Sequence, residues 1–123
     1  MIYERDYIKR LIRDIARTLA KLLFNIDTVT PEVELLEDSA VKQTAFSLLE
    51  SADAGNIAEA GALLRRMLED DPGNSIGAGL AFYSHLNGKS DEFLRAHGFS
   101  REQIEDGLRL IAEICGMEGA LPL

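Results

Sequence analysis

Apolar residues at positions 8, 12, 15, 19, 22 and 26 recur at alternating steps of four and three. Only a helix brings residues so spaced onto one side, as a heptad seam. No glycine or proline interrupts the stretch, so the spacing predicts a helix from about Tyr3 to about Asn25. At about 100° per residue, Ile8, Leu11, Ile12, Ile15, Leu19, Leu22 and Ile26 share one face. Lys9, Arg10, Arg13, Arg17 and Lys21 fall on the opposite face. The seam must be covered, either by the rest of this chain or by another.

The remaining pattern is helical throughout. Asp27 to Pro31 breaks the first helix, and Thr30 before Pro31 reads as an N-cap followed by proline at the first helical position. A short turn over 31–37, or a direct run into the next helix, follows. Val41, Ala45, Leu48, Leu49 and Ala52 carry the second helix, with Gly55 as its left-handed stop. Asn56 is expected to cap a third helix over 57–70, and the run Asp70-Asp71-Pro72-Gly73-Asn74 reads as a turn. A fourth helix is expected from about Ser75 to Asn87, its Gly77 and Gly79 signalling close packing or a weak first turn. A short fifth helix opens at Ser90 and stops at His97-Gly98. Ser100 and Gln103 form a capping box for a sixth, which carries Ile104, Leu108, Ile111, Ala112 and Cys115 and stops at Gly116. Residues 117–123 form a short, loosely held tail. No segment alternates as a strand does. The expected fold is all-α, one domain of five or six helices over 1–123.

Residues 41–74 resemble one tetratricopeptide unit: Leu48, then Gly55-Asn56-Ile57 at the turn, Ala60, Leu64 and Met67, and Pro72 closing. Residues 75–98 begin a second unit and leave it unfinished. One and a half units cannot build the usual concave peptide groove. Two further stretches are distinctive: Tyr3-Glu4-Arg5-Asp6-Tyr7-Ile8 with Arg10, Ala16, Leu19, Ala20 and Leu23-Phe24, and the run from Ala96 through Leu108. In these the chain is similar to a family of small uncharacterised bacterial proteins treated as a domain of unknown function. The resemblance implies a helical fold and no chemistry.

Charge is uneven. Residues 1–26 carry six bases and three acids, net +3, while residues 27–123 carry net −11, within a total of −8. An acidic body repels phosphate, so nucleic acid is not the expected partner. No apolar run is long enough to span a bilayer, and the start lacks the apolar segment of a signal peptide. With the single Cys115, this suggests the reducing cytoplasm.

Candidate chemistry is sparse. His85 and His97 are the only histidines, placed on different helices and outside any metal-binding spacing. His97 beside Gly98 suits the negative pole of a helix end, and His85 beside Tyr83 and Leu86 suits packing. Cys115 reads as a small hydrophobe. The carboxylates, among them Glu69-Asp70-Asp71, match neither a di-iron pattern nor a calcium loop, and Gly73, Gly77 and Gly79 match no phosphate loop. No catalytic residue, cofactor or metal is expected.

That leaves the first helix. Its apolar face can pack into the chain's own core, pair with a second copy or another protomer's acidic body, or turn its cations to an anionic surface. The leading expectation is a non-enzymatic assembly protein that self-associates through Ile8, Leu11, Ile12, Ile15, Leu19, Leu22 and Ile26. The alternatives are a nucleic-acid-associated regulator using Arg10, Arg13, Arg17 and Lys21, and a helical domain that binds a small ligand.

Overall fold

A computed structural model describes residues 2–25 and 39–121. Six helices follow one another: α1 Ile2–Phe24, α2 Ser39–Asp53, α3 Ile57–Asp70, α4 Pro72–Asn87, α5 Asp91–Ala96 and α6 Arg101–Ile114. A single 3-10 turn, Glu118–Ala120, ends the described chain. No strand occurs among the described residues. The expected Thr30–Pro31 cap and the turn over 31–37 lie outside them.

The helix stops are those that the glycines announce. Gly55 (φ 92°), Gly98 (φ 69°) and Gly116 (φ 69°) take left-handed backbone immediately after helices. Ser90 Oγ accepts the Phe93 N–H at 3.0 Å. Ser100 Oγ accepts the Gln103 N–H, and the Gln103 side chain accepts the Ser100 N–H, completing the capping box. Asn56 holds the N-cap position of α3, but its side chain makes no capping bond. Cys115 is the C-cap of α6 and packs half-buried against the core at the end of its apolar stripe.

The α3–α4 junction departs from the turn expected over 70–74. Asp71 alone separates the two helices, and Pro72 is the first residue of α4. Proline suits that place because its missing N–H would have had no partner there. Ser75 Oγ ties the corner, its one proton shared between the carbonyls of Met67 (3.0 Å) and Asp71 (2.7 Å).

Helix α4 is the axis of the fold. It is buried on nearly every side, from Ser75 through Asn87, and it packs against α1, α2, α3 and α6. Small residues make this possible. A Cβ added at Gly79 would stand 2.9 Å from Ile111 Cδ1 of α6. On the other side of the same contact, Gly107 of α6 lies under the Tyr83 ring. Phe82, Leu80 and Leu86 of α4 meet Leu64 and Leu68 of α3 and Leu108 and Ile111 of α6 in one continuous core.

Candidate functional site

Helix α1 lies against α4 and α6. Ile12, Ile15 and Leu19 have no exposed surface, and Ala16 and Ala20 are buried beside them. Ile8 and Leu11 pack half-buried on the same core. Of the seam, only Leu22 stands exposed (48%), and Ile26 lies outside the described residues. The middle of the seam is therefore intramolecular: a second chain could reach Ile12, Ile15 and Leu19 only by opening the domain. Burying each of these side chains contributes about 1.5–3 kcal/mol, which accounts for their place inside.

The opposite face of α1 is open. Arg10, Arg13, Arg17 and Lys21 are all exposed. Two aromatic side chains join them, Tyr7 (59% exposed) and Phe24 (39%). These were not legible as surface residues, because an aromatic near a helix end is more often assigned to the core.

The other surface features are a groove and two polar clusters. Hollows of about 370 and 400 Å³ run between α2 and α3 and share Thr44, Leu63 and Met67 as lining. Leu63 is half-exposed there, and Arg66, Asp70 and Asp71 stand at one end. A smaller hollow of about 240 Å³ lies against Tyr83, Arg65 and Asp106. Burial pushes the Tyr83 phenol above its ordinary pKa, against the pull of the nearby Arg65.

At the α2 C-terminus, Asp53 Oδ1 accepts from Lys89 Nζ at 2.6 Å and from His85 Nε2 at 2.7 Å. The Lys89 hydrogen bond first, and His85 second, hold the Asp53 carboxyl below its ordinary value of 3.8. The cluster pins α2 to the end of α4. His85 thus hydrogen-bonds a carboxylate at the surface as well as packing. His97 donates from Nδ1 to the Phe93 carbonyl at 2.8 Å, and its ring lies over Gly55.

The most connected polar side chain is Arg101, only 6% exposed. Its Nε donates to Asp91 Oδ1 (2.9 Å), one terminal nitrogen to the Asn87 carbonyl and Oδ1 (2.9 and 3.0 Å), and the other to the Lys89 carbonyl (2.7 Å). Asn87 Nδ2 in turn donates to the Lys9 carbonyl at 3.0 Å. One guanidinium thereby fastens α4, α5, α6 and α1. The role is architectural, since all three guanidinium nitrogens donate to the protein's own oxygens.

Among the described residues, no three His, Cys, Asp or Glu side chains converge as a metal site. No helix among them is long and apolar enough to cross a membrane. Burial raises the Cys115 thiol above its ordinary pKa, which leaves it less nucleophilic.

No curated protein and no solved structure matches the chain. A family model, a family of unknown function (DUF6483), matches residues 2–116. The chain thus belongs to the DUF6483 family of unknown function.

Proposed function

We propose that this protein is a non-enzymatic assembly domain of the cytoplasm that associates with a second copy of itself through the outward face of α1. The observation that carries the reading is a contrast within α1. Its inward side is spent on the core, while its outward side holds Tyr7 and Phe24 exposed among cations. Large apolar side chains scattered singly mean little. Here two aromatics stand at the two ends of one helix face, and that helix is the basic part of an otherwise acidic chain. We read α2 and α3, with α4 packed on both, as tetratricopeptide-like pairing, a support on which α1 is presented. The half-buried single cysteine is in keeping with a reducing compartment.

Light scattering on the full chain over a hundredfold range of concentration tests this. The expected result is a mass that rises above the 13.6 kDa of one chain. Replacing Tyr7 and Phe24 together by serine should return it to one chain with the circular dichroism unchanged. A full chain that stays at one-chain mass throughout rejects the reading.

A further inference from the structure

Six residues of α1 repeat at steps of three, four, three, four and three: Tyr7, Arg10, Asp14, Arg17, Lys21 and Phe24. On an ideal helix they span an arc of about 100°, directly away from Ile12, Ile15 and Leu19. Every one of the six is exposed. This is a second heptad stripe, on the outside of the same helix.

The stripe has a symmetry of its own. About a two-fold axis midway between positions 15 and 16, position 7 exchanges with 24, 10 with 21, and 14 with 17. An antiparallel partner would therefore set Tyr7 against Phe24 at both ends. It would set Asp14 against Arg17 twice at the centre, and Arg10 against Lys21 twice between. A parallel partner would set each residue against itself, placing like charges together at all four charged positions. Opposite charges face one another only in the antiparallel arrangement, and both aromatic ends are then covered as well. Arg17 is already engaged within its own chain, and the five donors of a guanidinium leave room for a second carboxylate.

We infer that two copies of this chain pair through α1 in an antiparallel, two-fold arrangement, with Asp14 of each copy facing Arg17 of the other and Tyr7 facing Phe24. The interface is isologous, so it closes at two copies and does not propagate. The inference rests on the self-association proposed above and adds its geometry.

The pairing carries an electrostatic signature. Each stripe holds three cations and one anion, so the two copies repel at long range while their centres attract. Added salt screens the long-range part over a distance of about 8–10 Å near physiological strength. The dimer should therefore tighten from low to moderate salt. Docking of basic α1 onto an acidic surface, such as the Asp70–Asp71 end of the α2–α3 groove, would weaken instead.

The test is cross-linking between mixed chains with Cys115 replaced by alanine. One chain carries Asp14→Cys and the other Arg17→Cys. A mixed dimer keeps one Asp14–Arg17 pair intact, and neither chain alone keeps any. Mild oxidation should give a disulfide dimer from the mixture and little from either chain alone. In the Cys115-containing chain, Asp14→Arg should raise the dimer dissociation constant about tenfold, since it replaces two exposed attractive pairs by repulsive ones. Adding Arg17→Asp should restore it.

A wild-type chain that never dimerises overturns the self-association and the geometry together. A dimer that cross-links 14 to 14 or 17 to 17, or that weakens steadily with salt, overturns the geometry alone and leaves self-association standing. A dimer indifferent to Asp14→Arg does the same.

Discussion

A guanidinium withdrawn from water is tolerable only when its donors are matched, and Arg101 has four matched contacts on three residues. Truncation to alanine would strand the carbonyls of Asn87 and Lys89 and remove the ion pair to Asp91. Arg101→Ala is expected to cost about 3–5 kcal/mol, the usual result of breaking a buried charged network from one side. Arg101→Lys should recover little of it, because an ammonium lacks the planar fork that reaches Asp91, Asn87 and Lys89 at once. Urea unfolding of both variants measures this, and a loss below about 1 kcal/mol for alanine would mean the network is idle. None of this was legible beforehand. Arg101 is visible in the sequence only as the residue after a capping serine, and its partners sit 10 to 14 positions upstream. Capping is a local rule that a sequence displays. A network across three helix ends depends on where those ends meet.

The Asp53 cluster gives a weaker effect with a definite sign. The carboxyl is held below its ordinary value of 3.8 by Lys89 and then His85. A group whose folded pKa is depressed adds stability above its unfolded pKa and loses it as pH falls through the folded value. The contribution should therefore be complete near neutrality and disappear below pH 3.8. Half of the Asp53 side chain is exposed, so screening keeps the effect under about 1 kcal/mol. Asp53→Asn should lower the melting temperature slightly at pH 7 and leave it equal to wild type at the acid end. A constant offset across the whole pH range would remove the ion pair as its cause.

At the scale of elements, close approach of helices decides which small residues matter. A Cβ on Gly107 would stand 2.1 Å from the Tyr83 ring, and that residue is 2% exposed. Gly107→Ala is expected to destabilise by about 1–3 kcal/mol, as overpacking does. Gly61, within α3, has nothing within 4 Å of an added Cβ. There alanine should stabilise by about 0.5–1 kcal/mol through helix propensity alone. Thermal melts of the two variants should move in opposite directions, and movement in the same direction would contradict the packing described here. Both glycines lie inside helical patterns and look alike in sequence. Gly77 and Gly79 of α4, together in an apolar stretch, signalled either close packing or a weak first turn, and Gly79 against Ile111 is the former. Gly107 lies among charged neighbours, and only the arrival of Tyr83 from another helix explains it. Helix order and most helix ends were legible, because caps and left-handed glycines act locally. The α3–α4 corner was not: Asp-Asp-Pro-Gly-Asn satisfies the chemistry of a turn and equally that of a proline-started helix. Packing of α4 against four neighbours selected the second.

At the scale of the whole molecule, α1 belongs to the fold before it belongs to any interface. The seam was visible in the sequence and its cover was not, because a heptad spacing reads the same whether the facing helix is the chain's own or a partner's. The structure assigns that face to α4 and α6, and this changes which experiments inform. Removing α1 would withdraw Ile12, Ile15 and Leu19 from the core and the Lys9 carbonyl from Asn87. Such a deletion is expected to lose its cooperative melt, so its mass in solution would say nothing about association. Single substitutions separate the buried middle of the seam from its exposed end. Ile12→Ala opens a cavity at a site with no exposure and should cost about 2–5 kcal/mol. Leu22→Ala, at 48% exposure in the same seam, should cost less than about 1 kcal/mol, in the range of surface changes. Urea unfolding at low protein concentration, where association cannot contribute, measures both. Equal costs at the two positions would mean that α1 is held by its whole seam, and the confinement of its core contact to the buried stretch around Ile12, Ile15 and Leu19 would fail with it.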